Sequence, residues 1–242
     1  MNHHRTLTVA TYNICHGHYA NFDWARIAAP IRSLDPDFVG IQEVDMFTNR
    51  SRKIDTLAAL ASATGMPYAL FVPTMEFDGG KYGIALLSRH PILEAETISL
   101  PFDGHEPRTA GCIRVLVDGE HPLWFVNTHL SYISDETRRE QLSELSVRLR
   151  ELISADVPAI LSGDFNTEER LSPLVDNAFS DINEDGRCLT FREPPLAIDR
   201  IAYTPAHLTP LDHGMVESAA SDHNLLWAKF ILTRNDKSPA AP

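Results

Sequence analysis

The stretch Pro158-Ala-Ile-Leu-Ser-Gly-Asp-Phe-Asn-Thr167 runs from a short apolar segment into a turn that carries two polar side chains. Residues 159–161 do not alternate with polar residues, which is typical of a strand in a sheet covered on both faces. Gly, Asp and Asn favour turns, so Asp164 and Asn166 are predicted to stand where this strand ends. Functional sites of α/β folds collect at strand ends, because the sheet aims side chains there into a shared crevice.

Unusual polar groups accompany five other predicted strands. They are Thr11-Tyr-Asn13, Gln42-Glu43, Asn127-Thr-His129, Asp199 and Ser221-Asp222-His223, the last of which precedes its strand. Each group alone has a structural explanation, such as an ion pair, a turn or a strand cap. Six such groups together do not follow from structure alone, and we interpret them as parts of one functional site.

The chemistry of these groups suits hydrolysis of a phosphoester. Magnesium prefers oxygen ligands from one or two carboxylates, together with water and substrate phosphate. Glu43 can supply a carboxylate, with Asn13 as an amide oxygen donor or as a group that positions water. Hydrolysis also needs a base, and His223 suits that role because the ordinary histidine pKa is near neutrality. An acidic partner would hold the tautomer of this histidine.

The apolar pattern along the chain indicates an α/β protein with mixed sheets. Runs bounded by turn residues predict strands at residues 7–14, 38–44, 84–88, 112–117, 123–128, 159–161, 198–203 and 225–231. Apolar residues at helical spacing predict two helices, through Trp24, Ile27, Ile31 and Leu34 and through Leu142, Leu145, Leu149 and Leu152. A third helix is predicted over residues 54–64, ended by Gly65. Two stacked sheets with helices outside them would satisfy this pattern.

The 242 residues contain no internal repeat, low-complexity linker or break in composition, so we expect one domain over residues 1–232. Hydrophobic residues make up 43% of the chain, which is enough for a sizeable core. Residues 233–242 have little to bury and are predicted to form a flexible tail.

Charge and cysteine content narrow the partners and the compartment. Lys and Arg number 21 against 33 Asp and Glu, a net charge of −12, whereas tight nucleic-acid binders are usually basic. Nucleic acid is therefore a possible but not a favoured substrate. The three cysteines form no CxxC pair, which favours a reducing compartment. No apolar leader, membrane span or basic amphipathic stretch is present, so we expect a cytoplasmic protein without a stable membrane anchor. The oligomeric state stays open.

The ordered motifs resemble those of the endonuclease/exonuclease/phosphatase superfamily. They are Thr11-Tyr-Asn-Ile14, Gln42-Glu-Val44, Asn127-Thr-His-Leu130, Gly163-Asp-Phe-Asn-Thr167, Ile198-Asp-Arg-Ile201 and Ser221-Asp-His-Asn224. Any one motif is weakly specific, but their order matches and they run from residue 11 to residue 224. The resemblance implies an α/β (α+β) fold, a four-layer αββα sandwich of two mixed β-sheets flanked by helices, with the site at one edge of the paired sheets.

The resemblance implies a metal centre and a group that handles the attacking water. Glu43 would bind Mg²⁺, for which Mn²⁺ substitutes, with Asn13 and Asp222 assisting. Asp164 would align or activate the water, and Asn166 would hold a phosphate oxygen.

The resemblance also assigns the two histidines. His223, oriented by Asp199, would contact the scissile phosphate and act in an acid–base or electrostatic role. His129 matches a second histidine of the nuclease and sphingomyelinase branches, where repair endonucleases place other residues.

Three further residues are candidates for contact with substrate phosphate. Tyr82 opens a segment similar to the family's Gly-Asn-Ala-Ile-Leu-Ser-Arg, although Ile84 stands where Asn is usual. Arg108 lies in Glu106-Pro-Arg-Thr109, which resembles a phosphate-contacting segment, and a surface ion pair is its alternative. Arg50 follows the Glu43 strand closely enough to line the pocket, and a solvated face is its alternative.

The sequence therefore predicts a Mg²⁺-dependent hydrolase of a phosphodiester, of small-molecule or lipid-headgroup type, with a nuclease as the alternative. Small bacterial family members and sphingomyelinase-type phosphodiesterases are the most similar branches. An inactive binding protein of the same fold is a rival, but Glu43, Asp164 and His223 are all present. A metal-free hydrolase would depend on Cys15 beside His16, and a buried thiol would end that hypothesis.

Overall fold

The computed structural model describes residues 5–102, 104–153, 156–171 and 178–233. The first half of the chain forms β1 (Arg5–Asn13), a 3-10 turn (Cys15–Gly17), α1 (Trp24–Leu34), β2 (Phe38–Met46), α2 (Thr56–Thr64), β3 (Tyr68–Phe77), β4 (Gly80–Ser88), β5 (Ile92–Ser99) and β6 (Thr109–Val117). The second half forms β7 (His121–His129), α3 (Asp135–Leu152), β8 (Ala159–Asp164), β9 (Ser180–Asp181), β10 (Phe191–Arg192), β11 (Pro195–Leu196), β12 (Asp199–Tyr203), β13 (Leu208–Val216) and β14 (Leu225–Leu232).

Twelve of these strands form two six-stranded mixed sheets. The first sheet has the order β13-β14-β1-β2-β4-β3, and the second has the order β5-β6-β7-β8-β12-β9. One parallel pair lies at the centre of each sheet, β1 with β2 and β7 with β8, and the other pairs are antiparallel. Strands β10 and β11 form a separate two-stranded ribbon.

The apolar faces of the two sheets pack against each other and form the central core. Leu7, Val9 and Phe38 of the first sheet meet Ile113 and Phe125 of the second, all fully buried. The rings of Phe38 and Phe125 stack with their centroids 5.2 Å apart. Burying each such side chain contributes about 2 kcal/mol, so this layer holds the sheets together.

Helices cover the outer face of each sheet and complete the predicted four-layer αββα sandwich. Ile27 of α1 and Leu60 of α2 pack on the first sheet. Leu142, Leu145 and Leu149 of α3 pack on the second sheet. None of the helices in the described residues is long and apolar enough to cross a membrane.

The three predicted helices are confirmed, and α3 begins at Asp135, before the first residue of its predicted pattern. Asp23 caps α1 by accepting hydrogen bonds from two backbone N–H groups, and Ser134 caps α3 in the same way with one. Asp55 caps α2, which ends as predicted at Gly65 in a left-handed conformation with φ of 74°. The predicted tail lies outside the described residues from residue 234 onward.

All eight predicted strands are present, and the sequence pattern missed the four edge strands β3, β5, β9 and β13 and the two short ribbon strands β10 and β11. An edge strand has one side open to solvent, so it can carry polar residues and lack the continuous apolar run of a central strand. Strand β13 illustrates this, because its sequence Leu-Thr-Pro-Leu-Asp-His-Gly-Met-Val is largely exposed. Strand β3 does contain such a run at its start, and this explanation does not cover it.

A buried polar seam joins the sheets near the ends of their central strands. Pairing between β2 and β4 is interrupted by a bulge between Ile41 and Val44. The side-chain amide of Asn127, on β7 of the other sheet, donates to the carbonyls of Ile41 and Ala85, both at 3.0 Å. Its oxygen accepts a 2.6 Å hydrogen bond from Gln42. One side chain therefore satisfies two backbone carbonyls of the opposite sheet.

This close approach requires glycine at position 40. A Cβ there would stand 2.5 Å from Oδ1 of Asn127 and 2.4 Å from Oγ of Ser162. Both atoms are fully buried, and both lie on the opposite sheet. The seam therefore depends on a position where the chain carries no side chain.

We predict that Asn127→Leu lowers the free energy of unfolding by about 2–4 kcal/mol, because it strands two buried carbonyls and the Gln42 amide. Urea titration followed by circular dichroism measures this change. Ser162→Ala is the matched control, since it removes only one hydroxyl beside the seam, and should cost about 1 kcal/mol. Equal losses in the two variants would contradict the role given to Asn127.

Candidate active site

The polar strand ends meet in a cleft of about 470 Å³ at one edge of the paired sheets. Ten of the eleven predicted site residues line it: Asn13, Glu43, Arg50, Tyr82, Arg108, His129, Asp164, Asn166, Asp222 and His223. Asp199 is the exception, because it is fully buried behind His223. The prediction that these residues share one site is consistent with this placement.

Strand register explains why three of these residues are neighbours. On adjacent strands, Asp164 pairs with His129 of β7 on one side and with Asp199 of β12 on the other. The turn toward Asp164 needs Gly163, whose φ is +153° and whose Cβ would stand 2.2 Å from the carbonyl oxygen of Thr128.

Asp164 is the centre of the polar contacts. Its Oδ2 atom accepts a 3.0 Å hydrogen bond from the amide of Asn13 and lies 3.6 Å from Nε2 of His129 and 3.7 Å from Nε2 of His223. Its Oδ1 atom accepts a 2.9 Å hydrogen bond from the backbone N–H of Asn166. Four groups from four segments of the chain therefore surround one carboxylate.

His223 and Asp199 form a buried pair of the kind predicted. Nδ1 of His223 lies 2.7 Å from Oδ2 of Asp199, which fixes the ring and leaves Nε2 facing the cleft. The ring of Phe191 packs against His223 with centroids 5.0 Å apart.

The carboxylates around His223 govern its charge. Burial alone would lower the pKa of His223, but the charge and hydrogen bond of Asp199, with Asp164 and Asp222, raise it to about 10. Burial and the repulsion of Asp199 raise the pKa of Asp164 to about 7. At neutral pH the imidazole of His223 is therefore protonated, and the neighbouring carboxyl group of Asp164 is near the midpoint of its titration.

His129 has the opposite electrostatic environment. Burial lowers the pKa of His129 well below the usual range, and the charges of Arg108 and His223 add to that effect. His129 is therefore a neutral imidazole at pH 7. The site holds two histidines with different protonation states.

A strained backbone aims Glu43 into the cleft. Glu43 sits in the bulge of β2 with φ of 57°, a left-handed conformation that is uncommon outside glycine. Burial would raise its pKa, but the neighbouring imidazoles of His16 and His129 and the hydrogen bond from the amide of Asn13 lower it to about 2. Glu43 is therefore an anion over the whole physiological range.

Asn13 differs from its predicted role as an amide oxygen donor to the metal. Its Oδ1 atom accepts a 3.0 Å hydrogen bond from the backbone N–H of Cys15. Its amide nitrogen faces the site and donates to Glu43 at 3.2 Å and to Asp164 at 3.0 Å. Asn13 thus bridges two carboxylates as a donor, because the turn after β1 uses its oxygen.

Asn166 and Asp222 both line the cleft. Asn166 has φ of 50°, and its amide donates to the carbonyl of Leu130 at 3.0 Å, which anchors the side chain at the cleft wall. Asp222 accepts a 3.1 Å hydrogen bond from the hydroxyl of Ser221. Their roles toward phosphate and metal remain predictions.

Arg50 is neither a free phosphate ligand nor part of a solvated face. Its Nε and Nη2 atoms donate to the fully buried Asp45 at 2.6 and 2.8 Å, a bidentate pair. Its guanidinium lies 4.5 Å from the ring centre of Phe77 and 5.7 Å from that of Tyr82. Arg50 therefore lines the cleft while it is paired with Asp45 and stacked on Phe77.

Arg108 is a buried residue rather than the alternative surface ion pair. It is 4% exposed and lies 2.8 Å from Glu106 through Nη1. Burial raises the pKa of Tyr82 well above its usual range, and the nearby Arg108 opposes that shift. Nε of Arg108 is buried without a hydrogen-bond partner in the described residues.

The cleft contains residues that the sequence analysis did not assign to it. They are His16, Met75, Phe77, Glu106, Tyr132, Phe191, Leu196 and Ile198. Most lie on edge strands or loops, whose position no periodicity signals. Glu106 and Ile198 open two of the quoted segments and His16 follows a third by two residues, so proximity to those segments was the available signal.

The hypothesis of a cysteine nucleophile is not supported. Cys15 is half-buried, so burial alone does not exclude it. Partial burial and the charges of Glu43 and Asp222 raise its pKa to about 12, which keeps the free thiol protonated and weakly nucleophilic.

An αββα sandwich whose edge cleft joins a His–Asp pair to a buried aspartate and a glutamate defines a class, the hydrolases that act on phosphoester bonds. Within it, the chain belongs to the endonuclease/exonuclease/phosphatase family, whose sequence pattern matches residues 10–223.

Solved structures of this family have the same fold. The chain is similar to an endonuclease/exonuclease/phosphatase from Beutenbergia cavernae DSM 12333, with a TM-score of 0.79 and 24% identity over 98% of this chain and 73% of that one. It is also similar to a mannosyl-6-phosphatase from Bacteroides thetaiotaomicron VPI-5482, with a TM-score of 0.71 and 20% identity over 93% of this chain and 100% of that one. The human Nocturnin catalytic domain gives a TM-score of 0.73 and 20% identity over 96% and 97%. No curated protein matches the sequence significantly.

We predict that Asp199→Asn returns the pKa of His223 toward the ordinary histidine range, because the largest stabilisation of the imidazolium is removed. NMR titration of the histidine side chains measures this directly. His90, which contacts Asp37 at the opposite end of β2, is the internal control and should not change. A His223 pKa unchanged by the substitution would show that Asp199 does not govern its charge.

Proposed function

We propose that the chain hydrolyses a phosphodiester of small-molecule or lipid-headgroup type with the aid of a divalent metal ion, Mg²⁺ in the first instance. The observation that supports this most is the convergence on Asp164 of Asn13, His129 and His223. Glu43, the predicted metal ligand, is joined to the same aspartate through the amide of Asn13.

The residues present fit a divalent ion. Glu43 is ionised, half-buried and turned into the cleft by a strained bulge, and Asp222 offers a second carboxylate on the cleft wall. When bound, the ion would neutralise charge on the phosphate.

Asp164 and His223 have separate roles in the proposed reaction. The carboxylate of Asp164, held by Asn13 and by the backbone of Asn166, orients the attacking water and accepts its proton. The imidazolium of His223, held by Asp199, donates from Nε2 to a phosphate oxygen and stabilises the anionic transition state.

Neutral His129 and Asn166 complete the proposed binding of the phosphate. The neutral imidazole of His129, next to Asp164, can donate one hydrogen bond to the phosphate. It does not compete with Asp164 for the proton of the attacking water. Asn166 holds a second phosphate oxygen. Both side chains are fixed by their strands or backbone contacts, so little reorganisation is needed in the reaction.

The cleft walls favour a compact substrate over a polynucleotide. Phe77, Phe191, Leu196 and Ile198 line the cleft, and its arginines are already paired with carboxylates. With a net charge of −12, the chain offers little to attract a long polyanion. A nuclease is the alternative, and an inactive binding protein of this fold is the alternative of another class.

The first experiment is hydrolysis of bis(p-nitrophenyl) phosphate with Mg²⁺ or Mn²⁺ and then with chelator. We expect chelator-sensitive turnover that falls by about 10²–10⁴-fold in His223→Ala and in Asp164→Asn. Melting temperatures of the variants control for folding.

Phosphomonoesters and a DNA duplex serve as further substrates in the same assay. Turnover of the monoesters alone would replace the diester proposal with a phosphatase, and turnover of DNA alone would favour the nuclease. Full activity in either variant would remove the proposed mechanism. No turnover of any substrate would favour the binding protein.

We predict a bell-shaped dependence of kcat/KM on pH. The rate rises with pH as Asp164 loses its proton, at a pH above the ordinary aspartate range because its pKa is raised. The rate falls again only above the ordinary histidine range, because the pKa of His223 is raised as well. His223→Asn should keep the acid limb at a reduced rate. Loss of the acid limb in that variant would instead identify His223 as the base.

A further inference from the structure

Glu43 and two neighbouring side chains bring three different ligand atoms close together. Sγ of Cys15, Nδ1 of His16 and a carboxylate oxygen of Glu43 all lie within 4.8 Å of one another. Of these three residues, the sequence analysis assigned only Glu43 to a metal ion. The mechanism above uses neither Cys15 nor His16.

The backbone holds these three residues in an unusual conformation. Cys15, His16 and Glu43 have φ values of 42°, 45° and 57°, all in the left-handed region. Such strained conformations collect at functional sites. The turn of Cys15 and His16 is held by the side chain of Asn13, which accepts the backbone N–H of Cys15.

His16 places one imidazole nitrogen beside the carboxylate of Glu43. Nδ1 is buried and lies 3.5 Å from Oε2 of Glu43. That distance is long for a charged hydrogen bond, but it matches the separation of about 3.4 Å between two ligands bound tetrahedrally at 2.0–2.1 Å.

Cys15 is also the cysteine suited to ligation. Cys112 and Cys188 are buried, whereas Cys15 is half-buried and stands next to His16, which lines the cleft.

We propose that Cys15, His16 and Glu43 form a binding site for a borderline transition-metal ion, Zn²⁺, distinct in donor chemistry from an all-oxygen magnesium site. Thiolate, imidazole and carboxylate together are the donors that zinc prefers, whereas magnesium prefers oxygen ligands. Coordination displaces the thiol proton, so the sulfur binds as thiolate.

This site shares Glu43 with the proposed magnesium site and so rests in part on the proposed function. Because one carboxylate serves both donor sets, Zn²⁺ and Mg²⁺ compete for it. Zinc is bound more tightly by nitrogen and sulfur ligands, so low concentrations of Zn²⁺ displace Mg²⁺ and regulate the hydrolase.

The first test uses Co²⁺ as a spectroscopic probe for zinc, added to the full chain under reducing conditions. Ligation by a thiolate gives a sulfur-to-cobalt charge-transfer band in the near ultraviolet. We expect the band in the native chain and in the control Cys188→Ser, and its loss in Cys15→Ser. A full band in Cys15→Ser would overturn the proposal.

The second test measures metal affinity by calorimetry. We expect Cys15→Ser and His16→Gln to weaken Zn²⁺ binding by at least about tenfold and to leave Mg²⁺ binding unchanged. Glu43→Gln should weaken both. His16→Gln keeps a polar contact to Glu43, so a purely structural role of His16 would leave Zn²⁺ affinity intact, and that result would overturn the proposal.

Neither the cobalt band nor the calorimetry requires turnover, so the zinc site and the proposed hydrolysis can be disproved independently. Absence of hydrolysis with an intact cobalt band would remove the proposed function and leave the zinc site. Magnesium-dependent hydrolysis, with zinc affinity unchanged in both variants, would do the reverse.

Discussion

The side chain of Asn127 is the contact on which the cleft depends. It crosses from one sheet to the other, donates to the carbonyls of Ile41 and Ala85 and accepts from Gln42. Those carbonyls lie beside the bulge of β2, where pairing with β4 is interrupted. Without a donor from the opposite sheet, buried carbonyls would carry a desolvation cost of about 1–3 kcal/mol each. Asn127 thus makes the bulge tolerable, and the bulge turns Glu43 into the cleft.

The same strand carries the other half of the site. Two residues beyond Asn127, His129 stands opposite Asp164 in the parallel pairing of β7 and β8. A shift of β7 by one residue would take Asn127 out of the seam and His129 out of the cleft together. The register of β7 therefore determines both how the two sheets are positioned and how the two halves of the site are positioned.

How far the sequence could predict this depends on how local each feature is. Central strands and the polar residues at their ends follow from apolar runs and turn chemistry, and the structure places those residues in one cleft. The edge strands β5, β9 and β13 lack such runs. The orientation of Asn13 and the approach of His16 to Glu43 depend on positive φ values and on contacts between distant segments. Neither leaves a periodic signal in the chain.

The two histidines of the cleft, His129 and His223, have the same side chain but different protonation states at neutral pH. Both are buried, which alone would make both neutral. Asp199, Asp164 and Asp222 reverse this at His223, whereas Arg108 and His223 reinforce it at His129. The neutral histidine thus depends partly on the charged one, since the imidazolium of His223 lowers the pKa of His129. Opposed pKa shifts of neighbouring groups are the arrangement that assigns separate proton roles in an active site. Here the buried carboxylate of Asp199 sets that division, although it does not line the cleft.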